Sequence, residues 1–284
     1  MKVIRAEVMG MCFGVRDALK VIAAIESPGA VTIHGQLVHN EAVLTQLEAR
    51  GFAMLGEAER RPVPETPAVL ITAHGVSDRE RQRLEAAGKH LVDTTCPLVS
   101  RVHQAALGLR DEGYHVLVIG KRGHVEVRGI VEDLTSFDLV ESEDEVRTYP
   151  QARLGIVCQT TAAARNVAKV RAAVAARNPH AEVRFIDTVC LPTKEHQRSL
   201  ERLLGQVEVM VVVGGRNSNN TRELVALCRE RGIPALHVQD AADLDPEWFR
   251  DVETVGLTAG TSTLDATIDA VHEALLRLPL GTGS

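Results

Sequence analysis

Short apolar runs bounded by turn residues alternate with helical patterns along almost the whole chain. Strand-like runs lie at residues 31–33, 69–72 and 90–92, then at 115–119, around Leu139, at 154–157 and 183–186. The last three lie at 209–213, 235–238 and 254–257. Between the runs, apolar side chains recur at helical spacing, as in Val15, Leu19, Ile22 and Ala23. This alternation predicts βαβ units and parallel sheet. Helix punctuation agrees with it. Asn40 is a good N-cap for a helix with Val43, Leu44 and Leu47 inward and Gly51 as its stop. Ser77-x-x-Glu80 reads as a capping box, with Gly88 closing that helix. A long Ala-rich helix is expected from Thr161, another after Asn219, and a last one opening at Ser262 with Asp265 three residues on.

The pattern repeats. Asp93-Thr94-Thr95-Cys96-Pro97 follows an apolar run and opens a helix, with Pro97 suited to a first helical turn. Asp187-Thr188-Val189-Cys190 does the same, and Cys12 lies between the run at 2–4 and the first helix. The third group of strands is one short while the run at 2–4 is left over, so that run is assigned to the third group's sheet. The expected domains are three α/β lobes, residues 13–95, 96–189, and 190–284 completed by 1–12, each ending its last strand at one of these cysteines. Two further strand ends per lobe run into polar residues at helix starts. They carry His39 and His74 in the first lobe, His124 and Thr160 in the second, and Ser218 to Asn220 and Ser262 in the third. Ligands of open α/β sheets bind at the carboxyl ends of strands, where helix N-termini offer free N–H groups to anions. Three lobes facing one axis would aim all of these stations at one pocket.

Composition narrows the chemistry. The chain has 284 residues, 45% of them hydrophobic, ample for a core without covalent staples. Only 3% are aromatic, and the net charge is −6 without a basic stripe, which argues against nucleic acid. No apolar run reaches the roughly 18 residues of a membrane span, and the first residues lack a signal-peptide core. The expectation is a cytoplasmic protein with no membrane partner. Five cysteines in a reducing compartment then point to metal binding or catalysis rather than disulfides.

Cys12, Cys96 and Cys190 share a junction position, which favours ligation over simple packing. Cys228 sits mid-helix among Leu224, Val225 and Leu227 and reads as core, as does Cys158, which also stands as a conceivable fourth ligand. Zinc is the rival metal, but structural zinc usually takes four ligands with close cysteine pairs, and no such pair is present. Thiols dispersed by lobe suit an iron–sulfur cluster with one iron left open. The histidines and Ser218, Asn220 and Ser262 fit a bound phosphate group, although each of the last three also suits plain N-capping. Glu126, in a first helical turn beside His124, is either an ordinary helix-start acid or a proton donor with a raised pKa, with Thr160 to relay the protons or hold a substrate hydroxyl.

The motifs Gly-Met-Cys12-Phe-Gly-Val, Leu-Val-His39-Asn, Ala-His74-Gly-Val-Ser, Asp-Thr-Thr-Cys96-Pro and Gly-His124-Val-Glu126 resemble, in order, those of 4-hydroxy-3-methylbut-2-enyl diphosphate reductases. So do Gln-Thr160-Thr, Asn-Ser218-Asn-Asn220-Thr and Thr-Ala-Gly-Thr-Ser262, and the resemblance spans essentially the whole chain. It implies a trefoil of three α/β lobes around a central 4Fe–4S cluster held by Cys12, Cys96 and Cys190, with one three-coordinate iron. It implies His39, His74, His124, Ser218, Asn219, Asn220 and Ser262 as substrate-binding residues. Thr160 would hold the substrate hydroxyl, and Glu126 would supply protons. The implied reaction removes the allylic hydroxyl with two single electrons from a ferredoxin or flavodoxin, yielding isopentenyl and dimethylallyl diphosphates. Departures from the family's pattern stand at Val125, Leu191, Pro192, His196, Asn219 and Leu264. Three other readings remain compatible with the residues: a non-catalytic iron–sulfur sensor of the same fold, a reductase of a related allylic diphosphate, and a zinc-stabilised phosphosugar-binding protein.

Overall fold

The computed structural model describes residues 1–38, 40–56 and 62–278. The chain runs β1 (Lys2–Arg5), α1 (Phe13–Ala23), β2 (Val31–His34), α2 (Glu41–Ala49), β3 (Ala53–Leu55), β4 (Ala68–Ile71), α3 (Asp78–Ala86), β5 (His90–Asp93) and α4 (Pro97–Asp111). It continues with β6 (His115–Ile119), α5 (Val125–Glu132), β7 (Phe137–Val140), β8 (Arg153–Cys158), α6 (Ala164–Arg177) and β9 (Glu182–Phe185). Last come α7 (Leu191–Leu204), β10 (Val209–Val213), α8 (Asn219–Glu230), β11 (Ala235–Val238), β12 (Thr254–Ala259) and α9 (Asp265–Arg277). Short 3-10 turns fill several connections.

These strands form three four-stranded, all-parallel sheets, ordered β3-β2-β4-β5, β7-β6-β8-β9 and β1-β12-β10-β11. The order is the same in each. The first and third strands of a group lie side by side at the centre, the second flanks the first, and the fourth flanks the third. In the last sheet β1 takes the fourth place, pairing Lys2 with Thr254 through Arg5 with Leu257. The direction of winding therefore reverses between the two central strands of every sheet, which opens a crevice at their carboxyl ends.

The chain divides into two compact units. One comprises Met1–Phe13, His39–Ala42 and Leu191–Ser284, and the other Gly14–Val38 and Val43–Cys190. In the first, helices cover both faces of the sheet. Leu200, Leu203, Leu224 and Cys228 pack on Met210 and Val212, while Ile268, Val271 and Leu275 pack on Val211, Val255 and Leu257. The second unit repeats this double cover on β6 and β8, with Val102, Leu109 and Ile130 on one side and Val167, Val170 and Val174 on the other. Central strands buried on both faces explain why β6 and β10 read as unbroken apolar runs rather than alternating ones.

Several details differ from the sequence reading. The pattern does not predict β3: its Ala-Met-Leu is only three residues long and has no β-branched side chain. The helices expected from Thr161 and Ser262 begin three residues later, at Ala164 and Asp265, because the polar residues before them form the turns that leave β8 and β12. On α1 the buried face is Gly14, Ala18 and Ile22, one residue off the expected Val15 and Leu19. Ser77 does cap α3, accepting from the Glu80 amide at 3.1 Å, but Glu80 does not close a capping box. Its carboxylate lies 2.8 Å from His34 Nε2 and pairs with Arg83. Burial opposes that charge, yet Arg83 and His34 hold the carboxyl down at about 2.

Candidate functional site

Each of the three junction cysteines is fixed by its own amide. Cys96 donates to the Ala73 carbonyl at 3.1 Å, Cys190 to that of Thr160 at 3.0 Å and Cys12 to that of Thr261 at 2.9 Å. The acceptor always lies on the turn just beyond the third strand of the sheet. That strand is β4, β8 or β12 in turn. Each acceptor either is a candidate substrate residue, Thr160, or directly precedes one, His74 or Ser262. The Asp-Thr motif explains two of the three anchors. Thr94 Oγ1 donates to Ile71 O at 2.6 Å and Thr188 Oγ1 to Cys158 O at 2.6 Å, while Asp93 and Asp187 accept from the amides two residues on. The short polar side chains lock the turn so that a thiol emerges at the start of a helix.

In the second unit a contiguous chain of contacts joins five of the sequence-predicted residues. The His74 and His124 rings meet edge to face, with centroids 5.7 Å apart. His124 is the N-cap of α5, its Nδ1 accepting from the Glu126 amide at 3.2 Å. The Glu126 carboxylate accepts from the Thr160 amide at 2.6 Å and from Thr160 Oγ1 at 2.8 Å. The Thr160 carbonyl then anchors Cys190. Glu126 is 1% exposed, and burial raises its pKa to about 7 although the Thr160 bonds pull the other way. A ring nitrogen that accepts a hydrogen bond carries no proton, so the capping arrangement belongs to the neutral imidazole.

In the first unit, Ser218 caps α8 by accepting from the Thr221 amide at 3.3 Å. Asn220 Oδ1 accepts from the Thr261 amide at 3.0 Å, and Asn40 Nδ2 donates to the Ser262 carbonyl at 2.8 Å. Asn40 thus reaches from the start of α2 to the end of β12, a contact that its reading as a simple N-cap missed. Asn219, Asn220 and Ser262 are buried, and Asn220 Nδ2 has no hydrogen-bond partner among the described residues. His39 lies outside the described residues.

No disulfide joins the five cysteines, of which Cys12, Cys96 and Cys190 are partly exposed and Cys158 and Cys228 fully buried. Burial pushes the Cys228 thiol up to about 12, so it stays protonated, unlike a metal ligand. Among the described residues, no group of three or more His, Cys, Asp or Glu side chains is gathered to hold a single metal ion. Beside Cys96 the backbone is cut close. A Cβ on Gly14 would lie 2.6 Å from Cys96 Sγ. Gly14→Ala is therefore expected to displace that thiol and cost about 1–3 kcal/mol, as overpacking does. Thermal unfolding of the iron-free chain checks the cost, and thiol alkylation rates check the displacement. Of the departures, Val125 is the buried first residue of α5, and Leu191 and Pro192 open α7. Asn219 is the buried first residue of α8 and Leu264 is the N-cap of α9, so each helix start is kept.

A parallel α/β fold whose strand ends carry cysteines, a buried protonatable acid and polar helix starts belongs to the class of α/β proteins that keep their functional residues at the carboxyl ends of strands. Comparison with known proteins places it further. The model of the LytB protein family matches residues 3–276, and the chain belongs to that family. It is 37% identical over 282 residues to the 4-hydroxy-3-methylbut-2-enyl diphosphate reductase of Methylibium petroleiphilum, covering 97% of this chain and 85% of that one. Its fold matches the E-1-hydroxy-2-methyl-but-2-enyl-4-diphosphate reductase of Plasmodium falciparum with a TM-score of 0.89 at 25% identity, covering 98% and 88% of the two chains. A second solved structure, of (E)-4-hydroxy-3-methyl-but-2-enyl diphosphate reductase, the terminal enzyme of the non-mevalonate pathway, gives a TM-score of 0.66 at 34% identity over 96% and 98%. Among the described residues no helix is long and apolar enough to cross a membrane.

Proposed function

We propose that this chain reduces 4-hydroxy-3-methylbut-2-enyl diphosphate to isopentenyl and dimethylallyl diphosphates. Three lobes, 13–95, 96–189 and 190–284 with 1–12, would each end its last strand at one ligand of a 4Fe–4S cluster, at Cys96, Cys190 and Cys12 in turn. The observation that carries this reading is the bonded sequence His124–Glu126–Thr160–Cys190, which sets a buried, protonatable carboxyl one residue from the backbone anchor of a candidate ligand. LytB enzymes are iron–sulfur proteins. The donor set suits such a group. Cys12, Cys96 and Cys190 are unbridged, each directly precedes a helix, and Gly14 leaves room beside Cys96. A four-iron cluster also spreads its ligands wider than one ion does.

The cluster, when bound, supplies electrons singly, from a ferredoxin or flavodoxin as the donor. The chain's own residues do the rest. Glu126, protonated near neutral pH, delivers a proton to the departing hydroxyl, and Thr160 Oγ1 orients that hydroxyl against the carboxyl. Asn219, Asn220, Ser218 and Ser262, with His39 and His74, hold the diphosphate. The buried and unpartnered Nδ2 of Asn220 supports this, since an unpaired donor costs stability unless a ligand's oxygen uses it. Neutral His124 adds its Nε2–H as a donor to the same anion. Reduction of the allylic diphosphate, followed anaerobically with a strong one-electron donor, tests the proposal, and absence of turnover in iron-replete protein would reject it. Asn220→Ala is expected to weaken inhibition by inorganic diphosphate about 10- to 100-fold, the worth of a hydrogen bond to a charged group. An unchanged inhibition constant would move the anion elsewhere.

A further inference from the structure

We infer that His196 is a positioning residue that works as a doubly protonated strut, fixing the Cys12 loop to the helix that follows Cys190. The side chain lies on α7, 3% exposed. Its Nδ1 is 2.7 Å from the Pro192 carbonyl, one turn back on the same helix, and its Nε2 is 3.0 Å from the Gly10 carbonyl. Carbonyl oxygens only accept. A neutral imidazole has one N–H and would leave one of these short contacts as lone pair against lone pair, so only the protonated ring satisfies both. The bond to Gly10 is also charge-assisted, and so stronger than a neutral one.

The neighbourhood shows what the strut holds. Two more α7 side chains grip the same stretch of chain at successive turns. Ser199 Oγ accepts from the Val8 amide at 2.9 Å, and Arg202 pairs with Glu7 at 2.6 Å. His196 is the last of the three, and its target sits two residues before Cys12. On its other side that segment is tied to the end of β12, through Gly10 to Ala259 and Cys12 to Thr261. Gly10 itself has a φ of +81°, and a Cβ there would lie 2.8 Å from Ile268 Cδ1, so the bend admits only glycine. The strut supplies the restraint on the α7 side.

The bearing of His196 on a cluster rests on the function proposed above; its donor pattern does not. The test uses the full chain, with and without iron. Long-range nitrogen-15 correlation spectra at neutral pH are expected to show protonated-type shifts at both His196 ring nitrogens. Amide exchange at Met11 and Cys12 is expected to speed up about 10- to 100-fold in His196→Gln, which keeps one donor group without the charge. It should stay within about twofold of the parent in His196→Arg, which keeps a charge with several donors. An unprotonated ring nitrogen in the parent protein would overturn the inference even if His196→Gln failed to fold. So would unchanged exchange in a folded His196→Gln. Because neither measurement uses substrate or electrons, failure of turnover would leave this inference standing and strike only at the reductase reading.

Discussion

Glu126→Gln is expected to lower turnover by about 10²–10⁴, the usual worth of general acid catalysis, while making the protein more stable at alkaline pH. Both effects have one origin. Burial raises the Glu126 carboxyl to about 7, so it holds its proton under conditions where an exposed glutamate has lost it. Hydroxide is a poor leaving group, so the departing oxygen must receive a proton as its bond breaks. Thr160 is too weak an acid to be the source, and neutral His124 binds the amide of Glu126 through its unprotonated nitrogen. The stability effect follows from proton linkage. In the unfolded chain the group gives up its proton near 4.5 and in the folded chain near 7. Between these values the folded state binds more protons, so stability falls as pH rises and then levels off with a cost of about 3 kcal/mol. Glutamine does not titrate, and its amide suits the same Thr160 contacts, with the oxygen accepting from the Thr160 amide and the NH₂ donating to Oγ1. Its advantage in urea unfolding should be absent below about pH 4.5 and full above about pH 7. The alkaline limb of turnover, which falls as pH rises through 7 in the parent enzyme as Glu126 loses its proton, should disappear from the residual activity. Near-normal turnover would remove Glu126 from the proton path.

The arrangement of the sheets was legible from the chain because hydrophobic runs buried on both faces stand out against polar strand ends. The leftover run at 2–4 and a third group one strand short point to the pairing of β1 with β12. The strand ends were legible for the same reason, since residues such as Thr160 and Asn220 interrupt an otherwise apolar pattern at the carboxyl edge. What stayed hidden depends on geometry that spacing does not encode. Nothing local distinguishes Ala53–Leu55 from a loop. Ser262 and Thr161 carry helix-starting chemistry, but tight turns use those residues before the helices begin. The charge state of His124 is set by which ring nitrogen faces the Glu126 amide, a matter of rotamer. His196 stood out only as a departure from the family's pattern, and its contact could not be read from spacing because its second acceptor, Gly10, is 186 positions away. In each missed case, partners brought in by the tertiary fold outweighed local preference.

Serine in place of Cys12, Cys96 or Cys190 is expected to abolish most turnover and most bound iron, whereas serine at Cys158 or Cys228 should leave both intact. The contrast is not one of exposure alone. Cys228 packs against Leu224, Val225 and Leu200 in the middle of a helix layer, with its thiol held protonated. Cys158 is the last residue of β8, inside the core with Ile119 and Leu154, and its amide and carbonyl are both taken by Thr188 Oγ1. Neither environment presents a thiolate. The other three sit one residue ahead of α1, α4 and α7, and each is pinned through its amide to a turn that carries a substrate candidate. Serine keeps that backbone anchor and the side-chain size but ionises far less readily than a thiol, so it removes the ligand and leaves the fold. Circular dichroism should therefore be unchanged in all five variants. Iron per chain and visible absorbance, measured after anaerobic purification, should fall sharply in three of them. Bleaching of Cys158→Ser to the level of Cys96→Ser would require a fourth protein ligand, and with it a cluster that has no open iron for the substrate. Full iron in Cys12→Ser would instead detach the first cysteine from the centre and leave the threefold repeat without a chemical purpose.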